Sequence, residues 1–309
     1  MKLSGLGVYL RGIAMGAADL VPGVSGGTVA LITGIYGRLI SAIASVGIDM
    51  LSLVLRGRIA EAYKAIDGNF LLLLAAGIGT AIVGFAAILN WLLLHYPLPL
   101  WATFSGLVLA SALSLVKQNY RSWSLRDWSF FTIGVAVAVS VGLTQAIQMP
   151  LTPLGIFFAG SIAISAMILP GISGSFLLLL MGVYQPIIAA VVNLELVTLA
   201  LFALGCGVGL IFFSKLLHRL LAVAEKATMA TLFGFLLGSL VILWPWQITV
   251  SSVVDRHGDI RAVQTLPVSP TYYAQQVGDS MLLMCIGGFI VGVVAVRLLM
   301  SLSENQRAD

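Results

Sequence analysis

Residues 22–26 read Pro22-Gly23-Val24-Ser25-Gly26, and the pattern returns as Pro170-Gly171-Ile172-Ser173-Gly174. Eight residues after the last glycine of each comes a glycine, an aliphatic residue and a tyrosine: Gly34-Ile35-Tyr36 and Gly182-Val183-Tyr184. The offset is 148 residues throughout (170 − 22), close to half of the 309. Such a segment can bind an anion with its backbone. Proline ends one helix, glycine permits a tight turn, and serine caps the helix that follows. That second helix then presents unpaired N–H groups and the positive end of its dipole. In the first copy Ser25, Gly26, Gly27 and Thr28 form this end; in the second it is Ser173, Gly174 and Ser175. Glycines let an anion approach the backbone closely, and the hydroxyls add donors. Two such ends, opposed, suit one compact anion, and phosphate is the natural candidate. The competing reading makes both segments kinks that serve close helix packing. Recurrence at equivalent positions of the two halves favours a site.

Charged residues beside the motifs extend the candidate set. Asp19 lies three residues before Pro22, where the second half has Met167. A carboxylate inside a membrane is costly and points to function. It could carry a coupled proton, or it could pair structurally with Arg11 or Arg38. Arg11 could hold a phosphate through its planar fork, or it could snorkel to the cytoplasmic interface. Arg38, two residues after Tyr36, is a second cationic candidate, with interfacial anchoring as the alternative. Glu195 opens an apolar segment and reads as an N-terminal helix charge. His95, His218 and His257 show no metal-ligand spacing, and Cys206 and Cys285 sit in apolar runs without ligating neighbours. No metal centre, cofactor, nucleotide loop, nucleophile elbow or nucleic-acid patch is expected.

The elements that must position these residues belong to a membrane protein. Hydrophobic residues make up 60% of the chain and charged ones 9%, and mean hydropathy is +1.06; these values exclude an ordinary soluble domain. The predicted fold is an all-α polytopic membrane protein built from two inverted-topology repeats, 1–150 and 151–309. The first repeat comprises a broken or re-entrant hairpin over 6–46 (helices near Leu6–Ala18 and Thr28–Val46) and an amphipathic surface stretch over 48–66. Spanning segments follow near Phe70–Leu94, Leu100–Val116 and Trp128–Ile147. The second has a hairpin over 154–192 (helices Leu154–Leu169 and Phe176–Val192) and spans near Leu196–Leu217, Thr228–Trp244 and Ser280–Leu302, with an outer link at 247–279. Glycine pairs Gly205/Gly209, Gly234/Gly238 and Gly288/Gly292 read as packing faces. Lys2 and the apolar run behind it resemble a signal peptide, but Arg11 interrupts the run and the repeat needs the segment, so retention is expected.

Each half crosses an odd number of times whether its hairpin spans or re-enters, so the halves must be inverted. Charge placement agrees. The links at 47–68, 117–127 and 215–227 are basic, and those at 95–99, 148–153 and 193–195 contain no Lys or Arg. With both termini inside, all of the 16 Lys and Arg except Arg256 and Arg261 fall on the cytoplasmic side, as the positive-inside rule requires. The two breaks then meet near the midplane.

The run from Arg11 through Asp19, Pro22, Gly23 and Ser25 to Thr28, with Gly34-Ile35-Tyr36 behind it, resembles the bacterial polyprenyl-phosphate transporter family, as does Ile168-Leu169-Pro170-Gly171-Ile172-Ser173-Gly174-Ser175. The resemblance covers nearly the whole chain. It implies a non-enzymatic carrier in the bacterial inner membrane that returns undecaprenyl phosphate from the outer to the cytoplasmic leaflet for cell-wall synthesis. The expected partners are therefore the polyprenyl phosphate lipid and the bilayer, with a coupling proton or sodium ion and a homodimer as further candidates. A carrier for a small soluble anion is the alternative. A lipid-phosphate phosphatase would need a nucleophile with a His or metal partner, which the sequence does not supply at recognisable spacing.

Overall fold

A computed structural model describes residues 4–19, 25–144, 149–254 and 260–308. Helix α1 (Gly5–Asp19) leads to the first break, and α2 (Gly26–Ile32) leaves it; Pro22 and Gly23 lie outside the described residues. The helix expected over 28–46 is instead two. α2 stops at Ile32, and α3 (Tyr36–Ala44) starts after a turn. Gly34 causes the stop. It adopts φ +72°, a left-handed conformation that costs glycine little, and Ile35 N donates back to Ala30 O at 3.0 Å. The amphipathic stretch also divides, into α4 (Ile48–Leu55) and α5 (Ile59–Ala65). Three long helices follow, α6 (Gly68–His95), α7 (Pro97–Asn119) and α8 (Leu125–Leu143).

The second half repeats the opening. Helix α9 (Pro153–Ile168) meets the second break, and α10 (Gly174–Leu180) and α11 (Tyr184–Val192) follow. The single helix expected over 176–192 is likewise split, by Gly182 at φ +68° with Val183 N on Leu178 O at 3.0 Å. Next come α12 (Leu196–Val223), α13 (Glu225–Gly238) and the short α14 (Leu240–Leu243). The 247–279 link departs from an all-helical chain. Strands β1 (Gln247–Val254) and β2 (Ile260–Pro267) pair antiparallel, with Gln247 opposite Pro267 and Val254 opposite Ile260. Helix α15 (Pro270–Gln276) and the long α16 (Leu282–Ala308) complete the chain. Trp246 Nε1 donates to Ser280 O and Trp244 Nε1 to Val268 O, both at 2.8 Å, so the link is tied down at its two ends.

Among the described residues, five segments are long and apolar enough to cross a membrane: 68–85, 97–122, 125–143, 196–223 and 225–243. The sixth expected span is α16, whose apolar part, 282–298, is shorter. Large apolar side chains such as Val83, Leu204 and Phe212 stand exposed along these helices, as lipid-facing positions do.

Helix α1 packs on α6, and α9 packs on α12. A side chain at Gly12 or Gly77 would meet the backbone of Leu74 or Tyr9, and one at Gly160 or Gly205 that of Phe202 or Phe157. Gly160 and Gly205 stand 148 and 128 residues on from Gly12 and Gly77; the second interval is shorter because no counterpart of α4–α5 intervenes. The remaining long helices pair between halves, α7 with α16 and α8 with α13. Gly106 abuts Phe289 and Gly292 abuts Thr103, matched by Gly234 on Phe131 and Gly134 on Thr231. The expected glycine packing faces are therefore in contact, and each half lends a helix to the other. The main core gathers around the first hairpin, where Ala30, Ile35 and Ile40 pack with Phe70, Val108, Phe233 and Leu236.

Candidate functional site

Where α9 ends, its last carbonyls have no helical partner, because Pro170 has no N–H and Gly171 turns the chain at φ +83°. Residues of the other half supply the partners. Ser25 Oγ donates to Met167 O at 2.8 Å, and Tyr36 Oη donates to Ile168 O at 3.2 Å. Gly171 N in turn donates to Thr28 Oγ1 at 2.9 Å. Ser25 and Thr28 are each only 1% exposed. Three side chains of the first motif region thus hold three backbone groups of the second break. The breaks are in direct contact, as the sequence predicts.

Ser25 also caps its own helix. Its backbone is extended (φ −119°, ψ 135°), and Oγ accepts from Gly27 N at 3.1 Å. Thr28 N is taken by Ser25 O at 2.9 Å, and Gly26 N by Asp19 Oδ1 at 2.6 Å. The first three amides of α2 are therefore occupied from within the chain. Glycine is required at 26 and 27 because a Cβ would lie 2.5 Å from the Asp19 carboxylate or from Ile168 O. At 171 a Cβ would lie 2.7 Å from Phe235 O.

The second helix start differs. Ser173 and Ser175 share a hydrogen bond of 2.9 Å between their hydroxyls. Among the described residues no acceptor meets the amides of Gly174, Ser175 and Phe176. Met167, standing where the first half has Asp19, offers no carboxylate. The two helix starts alike in sequence are unlike in their partners: Asp19 holds the first, and no described residue takes the amides of the second.

The cationic candidates lie elsewhere. Arg38 is held bidentately by Asp67, at 2.6 and 3.0 Å, with its guanidinium 4.3 Å from the Phe70 ring centroid. It joins α3 to the start of α6 and is not brought to the breaks. Arg11 donates to Thr33 O at 3.3 Å and Gly7 O at 3.0 Å, reaching back along α1 away from Asp19. The pairing of Asp19 with either arginine gives way to the Gly26 amide, the last glycine of the motif and seven residues on from Asp19. Tyr184 opens α11 and packs on the cluster of Ile156, Ala159 and Val183. Glu195 stands at the N-cap position of α12 without a side-chain bond to the helix amides, and accepts from Thr198 Oγ1 at 3.3 Å.

Tyr36 was the least legible of the linking residues, because its spacing marks the helix stop and does not show where the phenol goes. Ser239 and the carbonyl of Phe235, which crowd Gly171, carry no signal of their own in the sequence.

The sequence matches the family described as undecaprenyl phosphate translocase-like over residues 15–261. A polyprenyl-phosphate transporter of Vibrio cholerae serotype O1 is 40% identical over 254 residues, covering 82% of this chain and 82% of that protein. A polyprenyl-phosphate transporter of Staphylococcus aureus is 33% identical over 254 residues, 76% of this chain and 85% of its own. No solved structure matches. With both motifs in contact and the match running through most of the chain, this protein belongs to the undecaprenyl phosphate translocase-like family.

Proposed function

We propose that this protein is a non-enzymatic carrier that moves undecaprenyl phosphate from the outer to the cytoplasmic leaflet of the bacterial inner membrane. On this reading the halves are inverted repeats, both termini are cytoplasmic, and the phosphate is held near the midplane between the two breaks. One observation carries the reading: the breaks are bonded to each other while, among the described residues, no acceptor meets the amides of Gly174, Ser175 and Phe176. Open amides at a helix start, flanked by the Ser173 and Ser175 hydroxyls, are suited to phosphate oxygens. Moving a charged headgroup through hydrocarbon unaided is the expensive part of a flip, and such a cradle offsets it. The names of the relatives support the substrate class.

Asp19 gives the cycle a handle. Its carboxylate occupies the α2 start as a second phosphate-facing end would be occupied by substrate. A proton taken up by Asp19 removes the charge and weakens its hold on Gly26 N, freeing that amide for the headgroup. Coupling to a proton gradient follows from this competition.

Purified protein in liposomes carrying labelled undecaprenyl phosphate tests the proposal, with a membrane-impermeant reagent reporting exposure of the phosphate over time. Protein-dependent exposure that drops by at least tenfold in Ser173→Ala/Ser175→Ala is expected. Asp19→Asn should keep movement but lose its response to an imposed proton gradient. No movement in folded wild-type protein would overturn the proposal in favour of a soluble-anion carrier.

A further inference from the structure

Beside the first break lies a cavity of ≈ 260 Å³ formed by α1, α2, α6 and α7, with α16 closing one side. Ala14 and Ala17 of α1, Val29 of α2 and Leu107 of α7 are among its lining residues. Among the described lining residues, the one side-chain polar atom is the hydroxyl of Thr33, which already donates to Val29 O at 2.7 Å. The lining therefore offers no free donor to an anion, and water would find no set of partners there. Hydrocarbon is the chemistry it accepts. The mouth is flanked by Phe85 and Ile88, 45% and 56% exposed, so the cavity opens on the lipid-facing side of α6. Its inner wall includes Val29, the residue after Thr28, which grips Gly171 across the breaks.

We infer that this cavity receives the first isoprene units of the substrate, those next to the phosphate. The inference rests on the proposed phosphate site, and it adds a subsite for the chain. A chain attached to a phosphate at the breaks must leave through an adjoining apolar space, and this cavity adjoins α2 and opens to lipid. An apolar cavity of about 150 Å³ takes one benzene ring, so this one has room for about two isoprene units. Alanines on α1 give the width that methyl branches need, which a straight acyl chain does not use. The subsite selects branched polyprenyl chains over linear ones before the rest of the chain enters the bilayer.

The test uses the full chain in phosphatidylcholine nanodiscs with a fluorescent undecaprenyl phosphate as probe. Competitors are a short polyprenyl phosphate, a straight-chain alkyl phosphate of matched carbon number, and inorganic phosphate. Wild type should prefer the polyprenyl over the straight-chain competitor by about tenfold. Ala14→Phe, placing a ring into the cavity from an exposed position, should erase that preference, and Val83→Ala, an exposed change on α6 outside the cavity lining, should retain it. If Ala14→Phe does not fold, Ala17→Ile makes a smaller intrusion from the same helix and should lower the preference in the same direction. Equal competition by the two chains in wild type, or an unchanged preference in the filled variant, overturns the chain subsite and leaves the phosphate site standing. Failure of the probe to bind folded wild type overturns both readings.

Discussion

Ser25 acts in two directions: its oxygen accepts from Gly27 N within its own hairpin, and its proton goes to Met167 O in the other half. Thr28 is simpler, because its Oγ1 accepts from the buried Gly171 amide. Replacing it with valine keeps the shape and removes the acceptor. A buried donor left unpaired costs about 1–3 kcal/mol, so Thr28→Val should lower the thermal unfolding midpoint while Thr28→Ser stays close to wild type. Equal midpoints for valine and serine would show that another group takes the amide. At this scale the sequence marks the motif residues by their recurrence and assigns them to an anion, whereas the bonds of Ser25 and Thr28 to the second break carry no signal in the sequence. Nor was the fate of Asp19 legible. Its partner is a backbone amide brought close by the turn, and a backbone amide has no letter in the sequence.

Helix stops are set by single residues, and here two glycines with the same sequence neighbourhood set two. Gly34 and Gly182 both take the left-handed conformation, and each sends the following amide back into the helix it ends. The Gly-aliphatic-Tyr pattern was visible as a repeat, yet read as one continuous helix, because an apolar run shows helical character on both sides of its stop. Gly34 and Gly77 separate two roles that glycine plays here. A Cβ at Gly34 would meet nothing within 4 Å, so Gly34→Ala suffers only the conformational cost, about 1–2 kcal/mol. A Cβ at Gly77 would meet the backbone of α1 at Tyr9 and, at 2.8 Å, Ile13 N, so Gly77→Ala must push α1 away from α6. Thermal unfolding should therefore rank Gly77→Ala below Gly34→Ala, and Gly34→Asn should be the mildest of the three. The reverse order would mean that α1 and α6 can part without loss. Which glycine faces would meet was beyond the sequence, since Gly234/Gly238 and Gly288/Gly292 could each serve any neighbouring helix.

At the scale of the molecule the exchange of helices ties the halves together: α7 rests on α16 and α8 on α13, while the breaks are bonded across the middle. Two units that alternate exposure of a site must move against each other, and these four helices are where the sliding would occur. On the proposed reading, inversion makes the breaks approach from opposite sides, and the placement of charge is what supports it. The turn after α7 sits among Lys117, Arg121 and Arg126, whereas the link before α16 is tied to helix ends by Trp244 and Trp246. Ser122 and Ser269 are exposed in these two segments, and the native Cys206 is half-buried and Cys285 buried within apolar helices. In intact cells a membrane-impermeant thiol reagent should label Ser269→Cys and spare Ser122→Cys, and inverted vesicles should reverse the pattern. Labelling of both cysteines from one face would place both links on one side of the membrane. The repeats would then be parallel, the opposed approach of the two helix starts would be lost, and the phosphate would need a site other than the one between the breaks.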